Sequence, residues 1–125
     1  MTIPSGAEAS IRFAVGDDDT ATALGSGDVP VLATPRLLAW CEAATVAALA
    51  AHLDAGSTSV GHRIELDHVR PTPVGGEVDV RAEVTGVDGR QVTLAVTAAD
   101  GGGDVAAGTV TRVVVDRQRF VDRLG

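Results

Sequence analysis

The sequence predicts an α+β fold in which an antiparallel sheet of about five strands wraps one long central helix. Three features carry that expectation. A single stretch, Thr34 to Gly56, places apolar residues at helical spacing. One segment before it and four after it alternate apolar and polar residues as strands do. Short Gly- and Pro-bearing turns separate the strands.

The elements follow in order. Residues 1–10 read as a flexible N-terminus and 11–125 as a single domain, with Ile11 to Val15 alternating as a first strand. Asp17 to Pro30 is a polar connection whose acidic triplet has no EF-hand spacing and reads as a solvated loop. Thr34 before Pro35 is a helix start, a capping hydroxyl ahead of a residue pre-set for the first helical turn. Leu37, Leu38, Cys41, Thr45, Ala48, Leu49 and His52 form the apolar stripe, and Gly56 is the stop.

From Val60 to Val69 strict alternation puts Val60, His62, Ile64, Leu66 and His68 on one face and Gly61, Arg63, Glu65 and Asp67 on the other. After the break at 71–76, Val78, Val80, Ala82 and Val84 mark a strand with one wet face. Asp88-Gly89 is a hairpin turn, Val92 to Ala98 is the return, and Val105 to Val115 is a last strand, apolar on both faces near its end. One helix on an antiparallel sheet of this order is the hotdog arrangement. Aromatic residues make up only 2% of the chain, so Val, Leu and Ala must build the core, and a single sheet covers one side of its helix. Both facts predict a homodimer with a continuous sheet and sites at the seam.

Composition narrows function. At 125 residues the chain has room for one core. A net charge of −7 with no lysine disfavours a nucleic-acid surface, so an anionic ligand must be gripped locally by arginines such as Arg36, Arg63, Arg70 or Arg90. The lone Cys41 fits a reducing compartment, and no run approaches a membrane span of about 18 apolar residues. Neither a targeting pattern nor a Cys/His metal cluster is evident, so the expectation is a cytoplasmic protein, bacterial by its Ala-, Val- and Arg-rich usage, with no metal and no cofactor.

Three polar residues are out of place for folding alone: Thr34 at the mouth of the helix, Glu42 on its apolar side, and His68 on the apolar face of the next strand. A buried polar group left unpaired costs about 2–7 kcal/mol, so each needs an answer. Singly, each has a structural explanation: a cap, an ion pair with Arg36 or Arg63, a core histidine. Together they supply a base, a hydroxyl and a proton carrier. Glu42 would activate water or attack a carbonyl, Thr34 would offer a hydroxyl beside free backbone amides, and His68 would move a proton.

The runs Val31 to Leu53 and Ser57 to Val115 resemble the fluoroacetyl-CoA thioesterase-like branch of the hotdog thioesterases, over roughly residues 29–120. The resemblance implies a catalytic set formed by a Thr opening the helix, a Glu eight positions on and a His twenty-six positions later. Thr34, Glu42 and His68 stand at those spacings, and Gly61 matches a backbone position near the thioester. It implies hydrolysis of an acyl-CoA or acyl-carrier thioester, with coenzyme A as part of the substrate; Arg36 and Arg70 read equally as phosphate grips for it and as surface charges. The segment 22–33 ahead of Thr34 has no aromatic residue to line a pocket selective for one fluorine, which predicts a different small acyl group. Two other functions on the same fold are weighed against hydrolysis: a non-catalytic acyl-CoA or acyl-carrier binder, and an enoyl-thioester hydratase, whose close Asp/His pair is missing.

Overall fold

A computed structural model describes residues 2–125. The elements run β1 (Glu8–Ala14), the one-turn helix α1 (Ala21–Leu24), the central helix α2 (Thr34–Leu49), β2 (Ser57–His68), β3 (Glu77–Asp88), β4 (Gln91–Asp100), β5 (Gly103–Asp116) and α3 (Arg117–Asp122). The sheet has the order β1-β3-β4-β5-β2, with every neighbour antiparallel. This is the expected hotdog architecture, and α2 lies across its inner face.

Alternation in the strands builds the core. Val78, Val80, Ala82 and Val84 of β3 and Val92, Leu94, Val96 and Ala98 of β4 are buried against Leu37, Cys41, Ala44, Ala48 and Leu49 of α2. Full burial of one such Val or Leu stabilises by about 1.5–3 kcal/mol, so many aliphatic contacts stand in for aromatic bulk. Two of the three aromatic rings share one contact: Trp40 stacks on Phe13 with centroids 4.6 Å apart. Burial pushes the Cys41 thiol up to about 11, which makes it a core residue with little thiolate.

Four details differ from the sequence reading. The first strand starts at Glu8, not Ile11, because Ala7 and Gly6 already bond to Val84 and Ile3 reaches the core; Met1 lies outside the described residues. The central helix ends at Leu49 and tightens into a 3-10 turn over Ala50–His52, several residues before Gly56, whose φ of 83° serves the following turn. A short third helix, α3, closes the chain, capped by the Asp116 carboxylate on the Arg119 amide at 3.0 Å. In β2 the register with β5 slips between Gly61 and Arg63, a bulge that breaks the alternation assumed across His62. Among the described residues no helix is long and apolar enough to cross a membrane.

β2 lies at the edge of the sheet and pairs only with β5. Its twelve residues leave one row of backbone donors and acceptors without a strand partner in the protomer.

Candidate active site

The mouth of α2 is pinned to the loop after β2. The Leu32 amide donates to the Thr72 carbonyl at 2.8 Å and Val31 bridges Pro73, while the Ala33 amide donates to the Asp19 carbonyl of the segment after β1 at 2.9 Å. These bonds bring the first helical residue against the last residue of β2. Ala33, not Thr34, is the N-cap, and no side chain caps the helix. The Thr34 hydroxyl is spent elsewhere: its Oγ1 is hydrogen-bonded to His68 Nδ1 at 2.8 Å.

His68 Nε2 is buried and has no hydrogen-bond partner within the protomer, and such a group calls for an explanation. Burial lowers the pKa of the imidazole from its ordinary 6.5, against a smaller opposing effect from the neighbouring Arg70 backbone. The ring is thus biased towards its neutral form, which keeps a lone pair for a proton. Thr34 and His68 border a cavity of about 350 Å³ whose other walls include Asp28, Val29, Val31, Leu32 and Arg70. Arg70 is steadied by Asp100 at 3.1 Å, and Asp100 in turn accepts from Thr72 Oγ1 at 2.9 Å and the Gly102 amide at 2.8 Å. The Gly102 bond is the main cause that holds the Asp100 carboxyl below the usual range. Arg36 pairs with Asp19 at 2.9 Å and is not part of the cavity wall.

Glu42 belongs to a second cluster. It sits on the flank of α2 rather than its apolar face, with its side chain 33% exposed. Arg112 Nη1 donates to its Oε2 at 3.2 Å, while Arg112 Nε donates to Ser59 Oγ at 2.8 Å and Nη2 to the Ser59 carbonyl at 3.0 Å. Arg112 is itself only 6% exposed, and a buried guanidinium is tolerable only when paired and hydrogen-bonded in this way. Gly61 faces Arg112 across the β2–β5 ladder. A Cβ on Gly61 would stand 2.5 Å from Glu42 Oε2, so the glycine makes the room the carboxylate occupies. The bulge at 61–63 is what turns this residue towards Glu42, where strict alternation had given the place to His62, which is exposed.

Of the residues expected in one site, one protomer brings Thr34 and His68 together and groups Glu42 with Gly61. It keeps the two groups apart, because eight helical residues separate Thr34 from Glu42 by about 12 Å along the axis. Arg112 was not anticipated. Its signal was present: in the inward series Val110, Arg112, Val114 one charge interrupts a buried strand face.

The model of the family described as FlK, fluoroacetyl-CoA-specific thioesterase, matches residues 15–118. The chain belongs to that family. It is 37% identical over 90 residues to the fluoroacetyl-CoA thioesterase of Streptantibioticus cattleyicolor, a stretch covering 72% of this chain and 65% of that relative's length. Among solved structures, the fluoroacetyl-CoA thioesterase FlK superposes with a TM-score of 0.91 at 30% identity, covering 99% of this chain and 96% of the other. A thioesterase superfamily member from Thermus thermophilus superposes with a TM-score of 0.91 at 25% identity, covering 98% and 91%. FlK has also been solved as a phenylalanine-to-alanine variant with fluoroacetate and CoA and as a threonine-to-alanine variant with fluoroacetate; the phenylalanine lies six positions ahead of the threonine.

Proposed function

We propose that the protein is an acyl-CoA thioesterase whose catalytic groups, Thr34, Glu42 and His68, meet at a seam between two copies. The observation that carries this reading is the Thr34–His68 pair in the cavity wall, with a buried, unpartnered imidazole nitrogen beside it. Membership of a thioesterase family supports the reaction class.

The free edge of β2 supports the assembly. Antiparallel pairing of two β2 strands about a two-fold axis lays the Ser57–Gly61 end of one beside the His68 end of its partner. Each seam would then hold Glu42, Gly61 and Arg112 from one protomer and Thr34 and His68 from the other. The Glu42 carboxylate, oriented by Arg112, takes a proton from water as the water oxygen attacks the thioester carbonyl, or attacks that carbon itself to give an anhydride that water then cleaves to the free acid and Glu42. The Thr34 hydroxyl and nearby backbone amides stabilise the oxyanion. Collapse breaks the C–S bond, and a proton relayed through His68 neutralises the departing thiolate. Arg70 at the cavity wall, and Arg36 beside the helix mouth, are the proposed grips for substrate phosphate. A bacterial cytoplasmic homodimer is the inferred setting.

The acyl group is read from the wall ahead of Thr34. It is aliphatic at Val29, Val31 and Leu32 and contains no aromatic ring. Six positions before Thr34 stands Asp28, where FlK's spacing places the substituted phenylalanine. An aliphatic wall rewards added methylenes by about 0.8 kcal/mol each until the space is filled. Thiol release from a panel of acetyl-, butyryl-, hexanoyl-, benzoyl- and fluoroacetyl-CoA is the test. Turnover favouring the short, medium or small aryl acyl groups is expected. Absence of thiol release across the panel would overturn the activity, and a preference of about a hundredfold for fluoroacetyl-CoA over acetyl- and butyryl-CoA would overturn the specificity.

A further inference from the structure

All ten cationic side chains are arginines, and six of them, Arg12, Arg36, Arg63, Arg70, Arg81 and Arg112, are ion-paired to carboxylates. The other four, Arg90, Arg117, Arg119 and Arg123, form no ion pair among the described residues. They gather at one corner, where the β3–β4 turn meets the end of β5 and α3. In a chain of net charge −7, a group of guanidiniums that form no ion pair stands out from the other six.

Arg90 and Arg119 border two adjoining grooves of about 290 and 140 Å³, and Arg123 joins them in the second. Asp116 lines both, but its Oδ1 is engaged by the Arg119 amide, and Asp54 lines the larger. The second groove also holds Phe120, 38% exposed. It is the one aromatic ring outside the Trp40–Phe13 stack. An exposed ring with three unpaired guanidiniums is the chemistry that recognises a phosphorylated nucleotide: a face for the base and forks for the phosphates.

We infer that this groove receives the adenosine 3′-phosphate end of the coenzyme A substrate, with Phe120 against the adenine and Arg90, Arg119 and Arg123 on the 3′-phosphate, beyond the diphosphate that falls to Arg70 and Arg36. The inference rests on the thioesterase reading above and adds the half of the substrate remote from the reacting carbonyl. Position supports it. Ser57 lines the larger groove, and Gly61 stands four residues further along β2, about 13 Å away, so the strand leads from the groove to the Glu42 cluster. The arrangement also selects coenzyme A over a carrier protein, since a carrier presents phosphopantetheine without a base.

Two measurements on the full chain test it. Titration calorimetry with adenosine 3′,5′-bisphosphate alone reports the groove whether or not the protein is a thioesterase. Binding that weakens with added salt and falls about tenfold or more in the double variant Arg119→Ala/Arg123→Ala, and again in Phe120→Ala, is expected. In hydrolysis, the double variant should raise KM for the acyl-CoA about tenfold at little cost in kcat, while the matching N-acetylcysteamine thioester, which lacks the nucleotide, loses nothing. Bisphosphate binding without any hydrolysis would retain the groove and reject the activity. Failure of the bisphosphate to bind, or a double variant equally impaired on both thioesters or on neither, would overturn the inference.

Discussion

The two halves of the candidate site solve opposite problems. The Thr34–His68 half leaves a hydrogen-bonding atom empty: His68 Nε2 is buried without a partner beside a cavity. The Glu42 half is held in place: its Oε2 is matched by Arg112, Arg112 is fixed twice by Ser59, and Gly61 clears the space. The first is built to receive and the second to hold one charge in one place. On the proposed mechanism neither half would perform acyl transfer alone, because one would offer a proton carrier without a base for water and the other a base without a pocket.

The largest effect should come from the held charge. Glu42→Gln keeps the shape and removes the base, so kcat/KM for the preferred acyl-CoA should fall by about a hundredfold or more, roughly 2.7 kcal/mol of barrier. It should also lower the melting temperature, because the buried Arg112 loses its countercharge and keeps only a neutral acceptor, a loss of about 1–2 kcal/mol. An isolated desolvated carboxylate would give the reverse, a more stable variant, so thermal denaturation distinguishes the two descriptions. Gly61→Ala sharpens the same half. Its methyl would meet Glu42 Oε2 at 2.5 Å, and the partly exposed carboxylate can swing aside, so the fold should survive while kcat drops about tenfold.

Much of this was legible in the sequence. The strand alternation, the helix opened at Thr34-Pro35, and the spacing of Thr34, Glu42 and His68 gave the hotdog fold and the residues worth watching. Three things escaped for physical reasons. Thr34 reads as a cap because capping depends on local spacing, whereas its actual partner His68 lies thirty-four residues away. The face of Gly61 was misassigned because a bulge adds one residue to one strand and shifts the parity of everything before it. Arg112 was passed over because a single charge in an apolar strand gains meaning only once Glu42 is placed opposite it.

A smaller effect belongs to the receiving half. Because burial depresses the His68 pKa below 6.5, the unfolded chain binds a proton near that pH which the folded chain does not. Stability from this group is therefore complete above about pH 6.5 and declines as the pH falls through the folded value. The acid limb of kcat/KM should likewise lie below 6.5 and follow the imidazole resonance in an NMR titration. A limb above 6.5, or one that persists in His68→Ala, would remove His68 from the proton path.

Mixing two impaired proteins addresses the shared site itself. Glu42→Gln and His68→Ala homodimers, each strongly impaired, should regain thiol-release activity when exchanged into heterodimers, because one of the two seams then combines an intact Glu42 with an intact Thr34–His68 pair. Statistical exchange predicts roughly a quarter of wild-type activity for a two-fold assembly with composite sites. If the mixture remains as impaired as its components after complete subunit exchange, the two halves do not meet across the seam and the account is contradicted.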